Sequence, residues 1–402
     1  MAEWKQMKFG ELYQVSSRNG LSKPSRVRGT GYKMINMGEL FANDRIYDID
    51  MELVPLTDSE KVKAKVEEGD LLFARQSLVA SGAGKCSIVM ETSELTVFES
   101  HLIRVRLNQE IADPMFYYYY FKSSRSPMRT IIEHCVQAGI KASDLEKLVV
   151  KVPPIEEQRK IAEALSKIDN KIEINNKINE NLLQQAQAIF DNAIKQSKLV
   201  SNVELGSLAD VKGGKRLPKG VNLITTPNSH PYIRVRDLND VVFASLSANY
   251  EYVDDETQKT ISRYITTTDD VLISIVGTIG LTAIVDKSLN QANLTENCVK
   301  ITNLHGISPE YLLLFLRSQK GAEEIKKGTV GAVQAKLPIK NIQAINIPVL
   351  PSAELEPLNA TLKELFNQIA TNVAESKCLM NVRDLLLPKL MSGEIDVSEL
   401  DL

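Results

Sequence analysis

The chain has few of the features that announce chemistry. It has four cysteines in 402 residues, Cys86, Cys135, Cys298 and Cys378, and none of them stands in CxxC spacing. Buried thiols are expected rather than a disulfide framework or a zinc knuckle. Its four histidines, His101, His134, His230 and His305, have no metal-ligand spacing. No apolar run approaches the length needed to span a bilayer, and the start MAEWKQMKFGEL lacks a basic-then-apolar signal pattern, so a cytoplasmic chain with no membrane partner is expected. The net charge of −3 gives no global attraction to nucleic acid, so any such contact must come from local basic patches.

Catalytic motifs are also missing. In SGAGKC, Gly84 and Lys85 lack both the earlier glycine and the following Ser or Thr of a phosphate-binding loop, and no GxSxG occurs. The DPMF at 113 superficially suggests an amino-methyltransferase motif. A better reading makes Asp113 a helix cap with Pro114 at the first helical position, as Ser308 and Pro309 are in SPEY. No catalytic constellation, cofactor site or metal site is expected in this chain.

What is present is ordinary globular composition, 43% hydrophobic and 25% charged, written twice. GELYQVSSRNG at 10 matches GSLADVKGGKR at 206, EEGDLLF at 67 matches TTDDVLI at 267, and DPMFYYYYFKS at 113 matches SPEYLLLFLRS at 308. Each copy ends in a long amphipathic stretch, PPIEEQRKIAEALSKIDNKIEINNKINENLLQQAQAIF from 153 and PSAELEPLNATLKELFNQIATNVAESKCLMNVRDLLLPKLMSGEI from 351. The expected fold is α+β: two mixed α/β domains, 1–152 and 198–349, and two long helices, 153–197 and 350–393, with a tail at 394–402.

At heptad spacing the first helix carries Ile161, Leu165, Ile168, Ile172, Asn175, Asn179, Leu182, Ala186, Ile189 and Ala193. A shift of 197 gives Leu358, Leu362, Leu365, Ile369, Asn372, Ser376, Leu379, Arg383, Leu386 and Leu390. Both seams are polar in the middle, which suits an intramolecular coiled coil whose Asn layer fixes register. An antiparallel pair is expected, because a repeated domain–helix unit then closes with a pseudo-twofold axis. The alternative is that each helix merely covers its own domain. Pro388 is expected to kink or end the second helix, leaving Leu390 a doubtful seam member.

PPIEEQRKIAEALSKID and LLLPKLMSGEI resemble the central and C-terminal helices of the specificity subunits of type I restriction-modification systems, and the domain–helix–domain–helix order matches nearly the whole chain. The second helix departs from the pattern, since PSAELEPL lacks the EEQ of the first. The resemblance implies two target recognition domains, each reading one half of a split double-stranded DNA site, held apart by the helices. It also implies partners: modification subunits using S-adenosylmethionine, and restriction subunits using ATP and Mg to translocate and cut DNA.

Three pairs of segments are candidates for DNA contact. Between Ser16 and Gly38 stand Arg18, Lys23, Arg26, Arg28 and Lys33 with no acid, and KGGKRLPKG supplies Lys212, Lys215, Arg216 and Lys219. Such cations on loops suit phosphates, and Arg also reads guanine bidentately. After DLLFA and DVLIS come unlike loops: RQSLVASGAGKC, with Arg75, Gln76 and Lys85, and the shorter IVGTIGLT. The third pair offers Gln137 and Lys141 in one copy, and Lys326, Lys327, Gln334 and Lys336 in the other. Gln suits adenine, and equally caps local backbone. Solvated surface is the competing role for every one of these residues. Tyr117, Tyr118, Tyr119 and Tyr120 look like base-stacking platforms, but they align with Leu312, Leu313, Leu314 and Phe315, so a core role is expected. A coiled-coil scaffold for protein partners that touches no DNA is the alternative function, and a self-sufficient methyltransferase a weaker third.

Overall fold

The computed structural model describes residues 4–77, 82–134, 138–247, 250–331 and 334–397. The chain divides into two compact units, Met1–Glu173 with Ser376–Leu402, and Ile174–Glu375. Each long helix therefore contributes one half to each unit.

The first unit is built on a five-stranded sheet in the order Tyr13–Asn19, Leu102–Leu107, Leu71–Ala74, Cys86–Val89, Arg45–Ile46. Leu71–Ala74 is buried throughout, as its unbroken apolar sequence demands. Because strand side chains alternate between faces, Leu71 and Phe73 enter one core, and Leu72 and Ala74 enter a second. The helix Pro114–Lys122 covers the first face. Tyr117, Tyr118, Tyr119 and Tyr120 are all buried there, with Tyr117 donating its hydroxyl to the Lys151 carbonyl. The tyrosine run is thus core, and burial pushes its phenols well above their ordinary pKa.

The second unit repeats the plan with Asp210–Gly213, Cys298–Thr302, Val271–Ser274, Thr282–Val285 and Phe243–Ala244 in the same order. Its covering helix, Pro309–Arg317, is capped by Ser308, whose hydroxyl accepts from the Tyr311 amide at 3.2 Å; Asp113 does the same for Phe116 at 2.8 Å. Capping, with Pro at the first helical position, accounts for DPMF and SPEY alike. A two-stranded ribbon leads into each long helix: Lys5–Lys8 with Val149–Val152, and Ser201–Glu204 with Asn346–Val349.

The long helices run over Ile155–Gln196 and Ser352–Leu390. Within the second unit Asn175 donates to Glu375 and Asn372 to Asn179, both at 2.8 Å; within the first, Arg383 donates to Asp169 at 2.8 Å. Partner numbers rise along one helix as they fall along the other, so the pair is antiparallel with a polar layer in the middle.

Two details of the expected seam are corrected. Ile189 is exposed, and its neighbour Phe190 is buried instead, stacked edge-on against Tyr311 at 4.8 Å. A helix that touches both a partner helix and a domain needs a broader apolar face than a strict heptad supplies. The second helix also passes through Pro388 and ends two residues later. Leu390 is buried in the core of the first unit, so it is a true packing residue.

Candidate nucleic-acid interface

In each unit the candidate segments are gathered at one end of the central sheet, and strand register shows why. Asn19 lies opposite Ile103, Ala74 opposite Leu102, and Cys86 opposite Phe73. The loops that follow Asn19 and Ala74 and precede Cys86 and Leu102 must therefore leave from the same edge. The second unit matches: Gly213 lies opposite Val299, Ser274 opposite Cys298, and Thr282 opposite Ile273.

The third segment joins them by strand addition. Ala138–Gly139 pairs on one side with Gln76–Ser77 and on the other with Glu133–His134. In the second unit Lys336 bridges Val276 and Val330. Gln76 and Lys141 are thereby brought close in one unit, as are the IVGTIGLT loop and Lys336 in the other. Gln137 lies outside the described residues.

Two glycines make this end possible. A Cβ on Gly20 would lie 2.1 Å from the Phe98 carbonyl oxygen, and one on Gly214 would lie 2.0 Å from that of Thr295. Both positions need bare backbone because the entering loop hydrogen-bonds this neighbouring stretch: Leu21 donates to Phe98 at 2.8 Å and Lys215 to Leu294, whose oxygen lies 2.4 Å from the Gly214 Cβ position, at 2.8 Å.

The cations are less free than a basic run suggests. Lys23 pairs with Glu60 at 2.8 Å, Arg28 with Glu52 at 2.6 Å, and Lys33 with Asp48 at 2.5 Å and Glu94 at 3.3 Å. The hydrogen bond to Asp48 leads the causes that hold the Lys33 ammonium above its ordinary pKa. Arg18 is on a strand rather than a loop and donates to the Lys63 carbonyl at 3.2 Å; Lys33, Gln76 and Lys212 are also strand residues. Lys212 pairs with Asp210 and Arg216 with Glu296, at 2.9 and 2.7 Å, while Lys215 lies over the Tyr264 ring. Lys85 bonds the Phe41 carbonyl at 2.8 Å and faces Asp44 at 3.3 Å. Lys326 and Lys327 stand on the helix Gln319–Gly328, where Lys327 faces Glu324 at 3.5 Å. Exposed with neither an ion pair nor a side-chain hydrogen bond or ring contact among the described residues are Arg26, Lys219, Lys326 and Lys336, with Arg75 half-buried; Arg18 and Lys215 are exposed and lack only the ion pair.

One feature went unnoticed in the sequence. Lys85, Lys122 and Arg129 line a cleft of about 620 Å³ with Asp44 as its lone carboxylate. Although burial opposes ionisation there, Lys122 and Lys85 hold the Asp44 carboxyl below its usual pKa. The spacing SRSPMR, with Arg125 and Arg129 close in sequence, was the available signal.

Two equivalent loop clusters, differing in sequence, stand on one scaffold repeated in one chain. The model of the type I restriction modification DNA specificity domain matches residues 1–184 and again 198–377. The chain belongs to this family. The HindI specificity subunit of Haemophilus influenzae, a type I restriction enzyme subunit, is 21% identical over 98% of this chain and 100% of its own length. The MjaIX specificity subunit of Methanocaldococcus jannaschii is 24% identical over 72% of this chain and 70% of its own. The crystal structure of a type I restriction-modification S subunit from M. genitalium shares the fold, with a TM-score of 0.58 at 16% identity over 96% of both chains. Membership explains the duplication, since the specificity domain occurs twice and each copy carries its own loop cluster. No helix among the described residues is long and apolar enough to cross a membrane.

Proposed function

We propose that this chain is the non-catalytic DNA-recognition subunit of a type I restriction-modification complex. Each loop cluster reads one half of a bipartite duplex site, and the antiparallel helices set the unread spacer and dock the modification subunits. The observation that carries this reading is the pairing of a repeated scaffold with variable loops: the two sheets agree strand for strand, while RQSLVASGAGKC in one copy stands where IVGTIGLT stands in the other. Two different half-sites require that combination.

Arg26, Arg75, Lys219, Lys326 and Lys336 are the first candidates for DNA contact, because they can meet a phosphate or base without giving up an internal ion pair, side-chain hydrogen bond or ring contact. Lys23, Arg28, Lys33 and Arg216 would have to exchange a carboxylate for DNA. S-adenosylmethionine belongs to the modification partner, and ATP and Mg to the restriction partner; the complex works in the cytoplasm. Mapping methylated adenines in host DNA with and without the chain tests the reading. A split motif that vanishes on deletion is expected, and an unchanged methylome refutes it. The scaffold alternative is separated by duplex binding, which must weaken steeply with salt if phosphates are neutralised.

A further inference from the structure

Where each recognition domain meets the helix pair, the two copies of the repeat differ in kind. In the first unit Asp169 is almost wholly buried; it accepts from the Tyr119 hydroxyl at 2.6 Å and from Arg383 at 2.8 Å. Arg45, also buried, reaches Asn170 at 2.6 Å, Glu173 at 3.2 Å and the Tyr119 hydroxyl at 3.5 Å. A shift of 197 carries Asp169 to Phe366 and Arg383 to Ala186, and a shift of 195 carries Tyr119 to Leu314. The sheets make Phe243 the counterpart of Arg45, since Arg45 lies opposite Ile88 and Phe243 opposite Ile284. In the second unit Phe243 and Phe366 stack edge to face at 6.2 Å, and Ala186 and Leu314 are fully buried. An ionic layer in one copy is an apolar layer in the other.

The difference has a consequence for pairing. Because the helices are antiparallel and the repeat is pseudo-symmetric, either helix could in principle pair with a second copy of itself in the same geometry. Two central helices so paired would set Asp169 against Ala186 and deprive it of Arg383. Two C-terminal helices would set Arg383 against Phe366 and leave it only its exposed neighbour Asp384, which it holds at 2.8 Å, in place of the buried Asp169. Removing one partner of a buried ion pair leaves a desolvated charge uncompensated, and a twofold dimer repeats each fault. Only unlike halves satisfy both layers. We infer that Asp169 and Arg383 act as a key: residues 1–198 and 199–402 close on one another and reject second copies of themselves.

The test uses the full chain, folded and then cut. A specific protease site placed between the exposed Lys198 and Leu199 allows scission after folding. Cut chain is mixed with an isotope-labelled copy, urea is raised until the labels scramble between partners, and native mass spectrometry counts the pairs after dilution. Unlike pairs are expected in at least tenfold excess over either like pair. In the cut D169N/R383A variant the like pairs should climb toward the statistical quarter each, and R383K should retain the excess. Statistical pairing in the parent chain overturns the inference, as does a D169N/R383A variant that discriminates as strongly as the parent. Should D169N/R383A fail to fold, the parent measurement still decides.

Discussion

Substituting Gly20 by alanine perturbs one recognition end and leaves the other as an internal control. The new Cβ would stand 2.1 Å from the Phe98 oxygen and 2.4 Å from the Glu99 oxygen, where real contacts stay above 3.0 Å. Both obstacles are backbone, so no side chain can swing aside, and the entering loop must retreat by about 1 Å, straining a well-packed site by about 1–3 kcal/mol. The retreat pulls on the Leu21 to Phe98 hydrogen bond and on the Gly20 amide, which donates to Leu102 at 3.3 Å. At about 2 kcal/mol, the melting temperature of a unit this size should fall by roughly 4–8 °C. If DNA binding must restore the loop, affinity for the cognate site falls by up to about 30-fold. The assay is calorimetry together with duplex binding to the mapped site and to variants altered in one half. G20A should flatten discrimination at one half-site, G214A at the other, and the double variant should lose both additively, the two glycines lying in separate units. A G20A protein that melts and discriminates like the parent would refute the close-approach argument.

Other perturbations follow from the same contacts. Asp169→Ala removes the acceptor of both the Tyr119 hydroxyl and Arg383, which keeps its neighbour Asp384, and should cost about 3 kcal/mol in urea unfolding, whereas Tyr119→Phe, which removes only the hydroxyl that donates to Asp169, should cost about 1–3 kcal/mol. Arg26→Ala or Lys219→Ala should weaken duplex binding across all sequences and reduce the salt slope by about one for each phosphate left without its cation. Lys33→Ala should leave that slope unchanged, because Asp48 and Glu94 already hold the ammonium. Asp44 is held below its ordinary carboxylate pKa, so its stabilising contribution is complete above the unfolded value of 3.8 and is lost as pH falls through the lower folded value. Acid unfolding of Asp44→Asn should accordingly show a smaller stability loss below pH 3.8 than the parent.

The architecture was legible because it rests on patterns that sequence preserves locally. Leu71–Ala74 and residues 271–273 announce buried strands by unbroken apolarity, and the polar Asn layer is announced by its recurrence in two helices 197 residues apart. Charge was not legible in the same way. The run from Arg18 to Lys33 looks free because its neighbours in sequence carry no acid, yet its carboxylates arrive from farther along the chain: Asp48 for Lys33, Glu52 for Arg28, Glu60 for Lys23. Ion pairs formed across a sheet leave no periodic trace, so a basic run overstates the charge available to DNA.

The missing EEQ of the second helix proves to be structural. Gln158 is fully buried, its side chain accepting from the Asp113 amide at 2.8 Å and donating to the Ile111 and Pro153 carbonyls at 3.0 and 2.8 Å. Its counterpart at a shift of 197 is Leu355, which simply packs in the second core. Gln158, Asp169 and Arg383 are thus three polar residues at helix positions where the other copy has Leu355, Phe366 and Ala186. Heptad counting registers Arg383 as a flaw in a seam and passes over Gln158 and Asp169, but each is satisfied by a named partner. Comparing a repeat with itself therefore separates two kinds of position. Where the copies agree, they report what the scaffold needs; where a buried polar residue faces an apolar counterpart, they report what makes the halves distinguishable.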